Sequence, residues 1–356
     1  MTARRIRVLI VDDSLFMRAA IARALAGGPF EIVGQAKDGN DAVAQIVRLA
    51  PDVVTMDFNM PGMTGAEAVR LIMQQRPTSV VMFSAHTRQG ARETFDALAA
   101  GAVDFLTKPD GEVSVDLSRI ADELMRKLIA AAQARPRAAS PAPPSRPSGS
   151  MTAMRASSSS SSWPTAATAP GVLPRLCVIG ISTGGPAALS ELVPALPADL
   201  RLAVVIVQHM PAGFTGPLAE RLDAVSRVSV HEAQAGDRPM PGSVLIAPGD
   251  HHLEFDERGA VALTDGPLVH GCRPAADVTM ISAARIYGRR ALAVVMTGMG
   301  KDGAAGALAI KRADGKTLAQ DQASSVIYGM PKAAIDAGAI DEVAALADIP
   351  AWLRYA

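Results

Sequence analysis

The feature that most constrains the fold of this chain of 356 residues is a break in composition near its middle. From Arg135 to Pro174 the sequence reads RPRAASPAPPSRPSGSMTAMRASSSSSSWPTAATAPGVLP, with no acidic residue and no apolar periodicity. Such a segment cannot bury enough apolar surface to offset the entropy that is lost on ordering. It predicts a flexible linker over residues 131–173, between an N-terminal domain at 1–130 and a C-terminal domain at 174–356.

Short apolar runs alternate with amphipathic stretches in the N-terminal domain. The runs at 7–13, 52–57, 80–85 and 103–109 predict strands, and 32–34 predicts a weaker one. The stretches between them have the apolar spacing of helices. Continuous Val, Ile and Leu runs in this alternation are typical of an α/β domain whose parallel sheet is covered on both faces.

The C-terminal domain repeats the α/β alternation with different spacing. Apolar runs predict strands at 176–180, 202–208, 243–248, 252–255, 260–264 and 291–298. Helices are expected at 185–193, 215–225, 276–287, 303–313, 331–337 and 341–347. Because the strands between 243 and 264 follow one another closely, we expect an antiparallel hairpin on a doubly wound, otherwise parallel sheet.

Composition excludes several classes of protein. The net charge is zero, which argues against a nucleic-acid partner. The longest apolar runs fall short of 18 residues, which argues against membrane insertion and a signal peptide. The two cysteines, Cys177 and Cys272, form no disulfide framework. We therefore expect a cytoplasmic protein.

Acidic residues follow two predicted strands of the N-terminal domain: Asp12 and Asp13 after the first, and Asp57 after the third. Ligands bind at the carboxyl ends of the strands in an open parallel sheet. Three carboxylates that converge there need a hard divalent cation between them, and Mg²⁺ suits oxygen ligands. Any one of these acids could instead be a helix N-cap, and for Asp13 taken alone the N-cap is the better explanation.

Two further polar residues end neighbouring predicted strands, Ser84 and Lys108. A hydroxyl and an ammonium group at the same sheet edge could bind the oxygens of a phosphoryl group carried by a carboxylate. Together, the five residues lie at the ends of four predicted strands. Unrelated helix caps are a poor explanation for such a set. On its chemistry alone, Phe105 reads as an ordinary core aromatic.

Residues 6–130 resemble a response-regulator receiver domain through the Asp12-Asp13 pair, MDFNMPGMTG, FSA and FLTKP. The resemblance implies a flavodoxin-like (βα)₅ fold and a histidine kinase as phosphodonor. It implies Asp57 as phosphoacceptor, with Mg²⁺ held by three carboxylates and one backbone carbonyl. The residues it assigns are, for the metal, Asp12, Asp13, Asp57 and Asn59, and, for the phosphorylation switch, Ser84, Phe105 and Lys108.

The C-terminal domain opens with VIGISTGGP, which satisfies G-x-S-x-G around Ser182 between a predicted strand and a predicted helix. Such a turn exposes a serine nucleophile, but a glycine-rich phosphate or dinucleotide loop explains the same residues. His209 directly follows the strand at 202–208, and Asp302 lies in the turn after the strand at 291–298. Placed at three strand ends of one sheet, the three residues predict a Ser-His-Asp triad.

Residues 174–350 resemble the catalytic domain of the chemotaxis protein-glutamate methylesterases through GISTGGP, VVIVQHMPAGFT, LIAPGDHHLEF and VMTGMGKDG. The resemblance implies a nucleophile at Ser182, a base at His209 and an acid at Asp302. It further implies an oxyanion site near Thr183 and Met299. It implies that the esterase needs no cofactor and that its substrates are methylated glutamates on the cytoplasmic helices of chemoreceptors.

The family also deamidates receptor glutamines, and its unphosphorylated receiver domain restricts access to the esterase cleft. One motif departs from the family pattern: VHGCRPAADV carries Gly-Cys between His270 and Arg273, so no role follows for either residue. A phospho-dependent binding module without hydrolase activity is the alternative to the esterase at this stage.

Overall fold

A computed structural model of the chain describes residues 4–85, 87–108, 118–134 and 173–356. Residues 135–172 of the predicted linker lie outside the described residues, so the linker remains a prediction. Within the described ranges, none of the helices has both the length and the apolar character needed to cross a bilayer.

The N-terminal domain is a five-stranded parallel sheet with strand order β2-β1-β3-β4-β5, as expected for the flavodoxin-like (βα)₅ fold. Its strands are β1 Ile6–Val11, β2 Phe30–Ala36, β3 Val53–Asp57, β4 Ser79–Ser84 and β5 Asp104–Thr107. Its helices are α1 Leu15–Ala24, α2 Gly39–Leu49, α3 Gly65–Gln75, α4 Arg88–Ala99 and α5 Ser118–Gln133.

Local sequence explains where several of these helices begin. Asp38 caps α2, because its carboxylate accepts a 2.9 Å hydrogen bond from the Asp41 amide. Thr64 and Glu67 form a capping box at the start of α3. The capping box thus begins α3 after the turn that follows Asp57, one of the acidic residues of the sheet edge.

The C-terminal domain contains a seven-stranded parallel sheet with strand order β14-β13-β12-β6-β7-β9-β8. Its strands are β6 Arg175–Ile181, β7 Leu202–Gln208, β8 Ser229–Glu232, β9 Ser243–Ile246, β12 Ala291–Val295, β13 Lys316–Gln320 and β14 Glu342–Ala344. Its helices are α6 Gly185–Ala195, α7 Thr215–Val225, α8 Ala276–Tyr287, α9 Ala304–Arg312, α10 Met330–Asp336 and α11 Ile349–Tyr355.

The predicted antiparallel hairpin is confirmed, but it is not part of the main sheet. Strands β10 His252–Phe255 and β11 Val261–Thr264 pair with each other and, among the described residues, form a separate two-stranded sheet. Helix α8 holds this small sheet, since the Thr279 hydroxyl donates to the Leu253 carbonyl at 2.7 Å and Ser282 accepts from the Phe255 amide at 2.9 Å.

The helix predicted at 341–347 is wrong, because β14 occupies that segment. Its backbone pairs with the edge of β13, where the Asp341 amide donates to the Thr317 carbonyl at 3.2 Å. The Asp341 carboxylate also accepts from the Thr317 hydroxyl at 2.9 Å. Pairing across the sheet thus overrides the helix propensity of an alanine-rich sequence.

Strand β6 lies next to the point where the strand order of the large sheet reverses. The chain runs from β6 outward through β7 on one side, and it returns on the other side with β12. Ligands of open α/β sheets bind at such a switch point, beyond the carboxyl ends of the strands. In the N-terminal sheet, β1 and β3 flank the equivalent point.

The two domains pack against each other through α4, which contacts both α6 and α7. At the centre of the contact, the ring of Phe105 stacks on that of Phe214 with centroids 4.8 Å apart. Toward the surface, Arg221 pairs with Asp96 at 2.9 Å, and both side chains are more than a third exposed. The carboxyl-end edge of the large sheet therefore faces the N-terminal domain.

Candidate active site

Ser182 follows the last residue of β6, and its amide donates to the Thr297 carbonyl at 2.9 Å. The turn to α6 requires glycine at position 184, where φ is +78° and a Cβ would lie 2.6 Å from Val326. Glycine is also needed at position 298, where a Cβ would approach the Cβ of Ser182 to 2.8 Å. The local sequence therefore sets Ser182 in a tight turn against the loop that follows β12.

His209 follows β7, the neighbour of β6 in the sheet, and its amide donates to the Ile181 carbonyl at 3.1 Å. Its imidazole Nε2 lies 2.7 Å from Oδ2 of Asp302. Asp302 comes from the loop after β12, on the other side of β6, and its side chain is 2% exposed. The structure thus brings a histidine and an acid from two strand ends into direct contact around the end of β6.

Asp302 is held as a carboxylate by backbone amides. Its Oδ2 accepts from the Ala276 amide at 2.6 Å, and its Oδ1 accepts from the amides of Asp277 at 2.9 Å and Gly303 at 3.0 Å. Two of these amides open α8, whose N-terminus favours negative charge. Burial alone raises the pKa of Asp302, but its hydrogen bonds to His209 and these amides hold the pKa below its usual value.

The second ring nitrogen of His209 faces Cys272, with Nδ1 and Sγ 3.6 Å apart. Burial lowers the pKa of His209, but its contacts with Asp302 and Cys272 outweigh that effect and raise the pKa to about 10. These contacts favour the protonated imidazole, and among the described contacts its Nδ1 faces sulfur rather than Ser182. Sequence reasoning gave Cys272 no role, although it lies in the motif that departs from the family pattern.

A cavity of about 350 Å³ lies between the domains, and the candidate residues line it together. Ser182, His209 and Asp302 contribute to its C-terminal wall, beside Thr183 and the 39% exposed Met299. The other wall comes from the N-terminal domain. The three predicted triad residues thus open into one space, which the N-terminal domain covers.

His270 and Arg273 also border the cavity, but each is engaged within the C-terminal domain. His270 Nε2 lies 2.8 Å from the Asp277 carboxylate. Arg273 donates to Asp250 at 2.8 Å and to the Gly266 carbonyl at 2.9 Å. Both side chains tie the loop after β11 to its surroundings.

The acidic edge of the N-terminal domain brings oxygen atoms of Asp12, Asp13 and Asp57 within 4.8 Å of one another. The Lys108 ammonium lies 2.8 Å from Asp57 and 3.2 Å from Asp12. Burial raises the pKa of Asp57 to about 6 despite the lysine, and it also raises the pKa of Asp12. One lysine therefore does not compensate this cluster of carboxylates.

This donor set fits Mg²⁺, which prefers carboxylate oxygen ligands and would supply the missing positive charge. Asn59, the fourth predicted ligand, is exposed two residues beyond Asp57. Its role as a ligand through the backbone carbonyl therefore stays a prediction.

Two of the predicted switch residues lie on neighbouring strands, Ser84 at the end of β4 and Phe105 in β5. Ser84 is buried, and its hydroxyl donates to the Gly90 carbonyl in α4 at 3.0 Å. Phe105 is also buried, but its ring reaches the other domain through the stack with Phe214. The interpretation of Phe105 as an ordinary core aromatic therefore missed its position at the domain interface.

Comparison with known proteins agrees with this organisation. Residues 177–353 match the family described as CheB methylesterase, and residues 8–116 match the response regulator receiver domain. The chain is 47% identical to a protein-glutamate methylesterase/protein-glutamine glutaminase of Symbiobacterium thermophilum, over 96% of this chain and 94% of that protein. It is 44% identical to one from Pseudomonas aeruginosa over 97% of each.

A solved structure is also similar, that of the Thermotoga maritima CheB methylesterase catalytic domain. It shares 43% identity with a TM-score of 0.50, and the match covers 52% of this chain and 99% of that one. Together, fold and site define a response regulator with a hydrolase as its output domain. The chain belongs to the CheB methylesterase family, whose relatives carry both domains, and the alternative of a binding module without hydrolase activity has no support.

Proposed function

We propose that this protein is a phosphorylation-activated methylesterase that hydrolyses γ-glutamyl methyl esters on chemoreceptor helices and releases methanol. The observation that carries the proposal is the His209–Asp302 pair beside Ser182 in a cavity that the N-terminal domain covers. The names of the relatives support the same reaction, and they support deamidation of glutamine as a second one.

In the proposed reaction, Ser182 attacks the ester carbon while His209 accepts the serine proton at Nδ1. Asp302 occupies Nε2, which leaves Nδ1 as the nitrogen for this transfer. The proton then passes to the departing methoxide, and water hydrolyses the acyl-serine by the same route. Asp302 stays ionised throughout and stabilises the imidazolium that forms at each step. Thr183 and Met299 are proposed to border the oxyanion.

Methyl ester and primary amide are substrates of one mechanism, since the tetrahedral intermediate expels methanol from one and ammonia from the other. Nothing in the sequence of the cavity residues predicts a preference for one leaving group over the other. Glutaminase activity is therefore part of the proposal, and neither reaction draws on a cofactor.

The N-terminal domain is proposed to keep this site inactive until Asp57 is phosphorylated. It covers the cavity that Ser182, His209 and Asp302 line, and so it restricts access to the nucleophile. Asp12, Asp13, Asp57 and the Asn59 carbonyl would hold Mg²⁺, which when bound neutralises the charge of an incoming phosphoryl group. Lys108 would bind a phosphoryl oxygen, and Ser84 and Phe105 would pass the change to the interface.

The proposed partners are a histidine kinase as phosphodonor and the cytoplasmic helices of methyl-accepting chemoreceptors as substrate, which places the protein in the cytoplasm. The proposed domains are the receiver at 1–130, the linker at 131–173 and the esterase at 174–356. The receiver match within residues 8–116 and the esterase match within 177–353 support this division.

Methanol release from methyl-labelled receptor membranes, with and without a small phosphodonor, tests the proposal. The wild type should release methanol faster with phosphodonor, and S182A should lose the reaction by about 10⁴-fold or more. The matched control is S190A, a serine on α6 whose hydroxyl donates to the Pro186 carbonyl at 2.8 Å. Retained turnover in S182A would refute Ser182 as the nucleophile.

A further inference from the structure

One contact joins the N-terminal domain directly to the residue beside the nucleophile. The Thr183 hydroxyl donates to Oδ2 of Asp104, the first residue of β5, at 2.6 Å. Asp104 is 6% exposed and Thr183 is 5% exposed, so water does not compete for this bond. The distance is typical of a hydroxyl bound to an ionised carboxylate, which is about twice as strong as a neutral hydrogen bond.

The carboxylate of Asp104 is fixed in position by its own domain. Its Oδ1 accepts from the Lys127 ammonium at 2.9 Å and from the Phe105 amide at 2.8 Å. Lys127 also donates to the Phe105 carbonyl at 2.7 Å. Burial lowers the pKa of Lys127, but the carboxylates of Asp104 and Glu123 outweigh it and raise the pKa. Lys127 therefore stays protonated, and its contacts hold the Asp104 carboxylate in the orientation that reaches Thr183.

The chemistry of this contact matches that of the reaction. Hydrolysis of a γ-glutamyl ester leaves a side-chain carboxylate beside Ser182, and Asp104 presents a side-chain carboxylate to the residue next to Ser182. We propose that Asp104 is an internal product mimic: it occupies the Thr183 hydroxyl, which in the active enzyme binds an oxygen of the receptor's glutamyl group. This inference rests on the proposed methylesterase function and assigns the contact through which that function is inhibited.

Two features link the mimic to the phosphorylation signal. Asp104 directly precedes Phe105, whose ring stacks on Phe214 of the other domain. Both residues lie on β5, which pairs with β4 next to Ser84. A shift of β5 relative to the C-terminal domain would therefore break the aromatic stack and withdraw the carboxylate together.

Inhibition by a product mimic is competitive, because the mimic and the receptor need the same hydroxyl. Receptor and Asp104 cannot hold the Thr183 hydroxyl at once, so the apparent KM rises with the fraction of molecules in the docked state. Saturating receptor displaces the mimic, and kcat is then unaffected. Surface ion pairs such as Arg221–Asp96 contribute little to docking because solvent screens them.

The test compares D104N/K127M with the matched variant D96N in the full chain. The double substitution removes a buried carboxylate and its cation together, so no unpaired charge remains buried, since Glu123 is 46% exposed, whereas D96N removes an exposed carboxylate at the same interface. Without phosphodonor, D104N/K127M should lower the KM for methylated receptor by about 10-fold, the loss of one charge-assisted hydrogen bond, with kcat little changed. D96N should keep the wild-type KM.

Labelling of Asp57 by a radioactive small phosphodonor verifies that the N-terminal domain of each variant is folded. An unchanged KM in a labelled D104N/K127M, an equal drop in KM in D96N, or a gain in kcat with KM constant would each overturn the product mimic. These results leave the proposed function intact as long as phosphodonor activates the wild type. If the wild type released no methanol under any condition, the proposed function itself would fail.

Discussion

Asp57 and Asp302 occupy similar places in two parallel sheets, yet their environments shift their pKa values in opposite directions. Asp57 is the last residue of β3 and Asp302 lies in the loop after β12; both strands are next to the point where strand order reverses, and each side chain is at most 6% exposed. Burial raises the pKa of Asp57 to about 6, whereas hydrogen bonds hold the pKa of Asp302 below its usual value. The difference comes from the groups that surround each carboxylate.

Asp302 accepts three backbone amides and one imidazole, so its negative charge is fully satisfied in the folded protein. Asp57 has Lys108 as its cation, but it also lies against the carboxylate of Asp12. A satisfied acid suits a group that must orient a base and never change its own protonation. An unsatisfied acid suits a group that must gain a metal ion and a phosphoryl group.

The largest effect that tests this contrast is expected for D302N. An amide at this position cannot hold the imidazolium and selects the wrong imidazole tautomer, so kcat for methanol release should fall by roughly 10³- to 10⁴-fold. The matched control is D265N, which changes an exposed aspartate that contacts His251 at 2.6 Å. A loss in D302N no larger than that in D265N would show that Asp302 does not orient the base.

The sequence was sufficient to predict both carboxylates because each marks a local pattern, an acid or a glycine-rich turn directly after an apolar strand. The parallel order of the strands then brought Ser182, His209 and Asp302 to one edge without further information. It could not predict the contacts of Asp104 with Thr183 or of Cys272 with His209, which join residues 79 and 63 positions apart. Such contacts depend on domain packing and on the path of an irregular loop.

The segment at 341–347 illustrates the same limit within one domain. Its alanines favour a helix, but the free edge of β13 offers backbone hydrogen bonds that only an extended strand can make. Sequence patterns therefore predict a helix or strand well where residues close in sequence make the stabilising contacts. They predict it poorly where a strand distant in sequence makes them.

The second test concerns the unsatisfied acid. D57N cannot accept a phosphoryl group, so a small phosphodonor should no longer stimulate methanol release, whereas it should stimulate the wild type about 10-fold or more. Basal release should persist because Asp57 lies outside the esterase cavity. Chelation of divalent ions should reproduce the D57N result in the wild type, since the carboxylate cluster needs a cation to approach phosphate.

D38N is the matched control for D57N. Asp38 caps α2 in the same domain, and asparagine caps helices equally well, so D38N should respond to phosphodonor as the wild type does. Stimulation of D57N to the wild-type level would remove Asp57 from the signalling route and leave the esterase assignment untouched.

The smallest effect is on stability, and here the two acids should differ in sign. The folded-state pKa of Asp57, about 6, exceeds its ordinary value of 3.8, so its ionisation destabilises the fold as pH rises through this window. In metal-free buffer, D57N should be more stable than the wild type by about 3 kcal/mol near pH 7.5 and by less than about 1 kcal/mol near pH 4. Asp302 has a lowered pKa, so its carboxylate stabilises the fold above about pH 4 and loses this effect on acidification. D302N should therefore destabilise the protein near pH 7.5, and urea unfolding of both variants at the two pH values measures the contrast. If D57N were destabilised near neutral pH as well, the surrounding donors, and not burial, would dominate at both carboxylates.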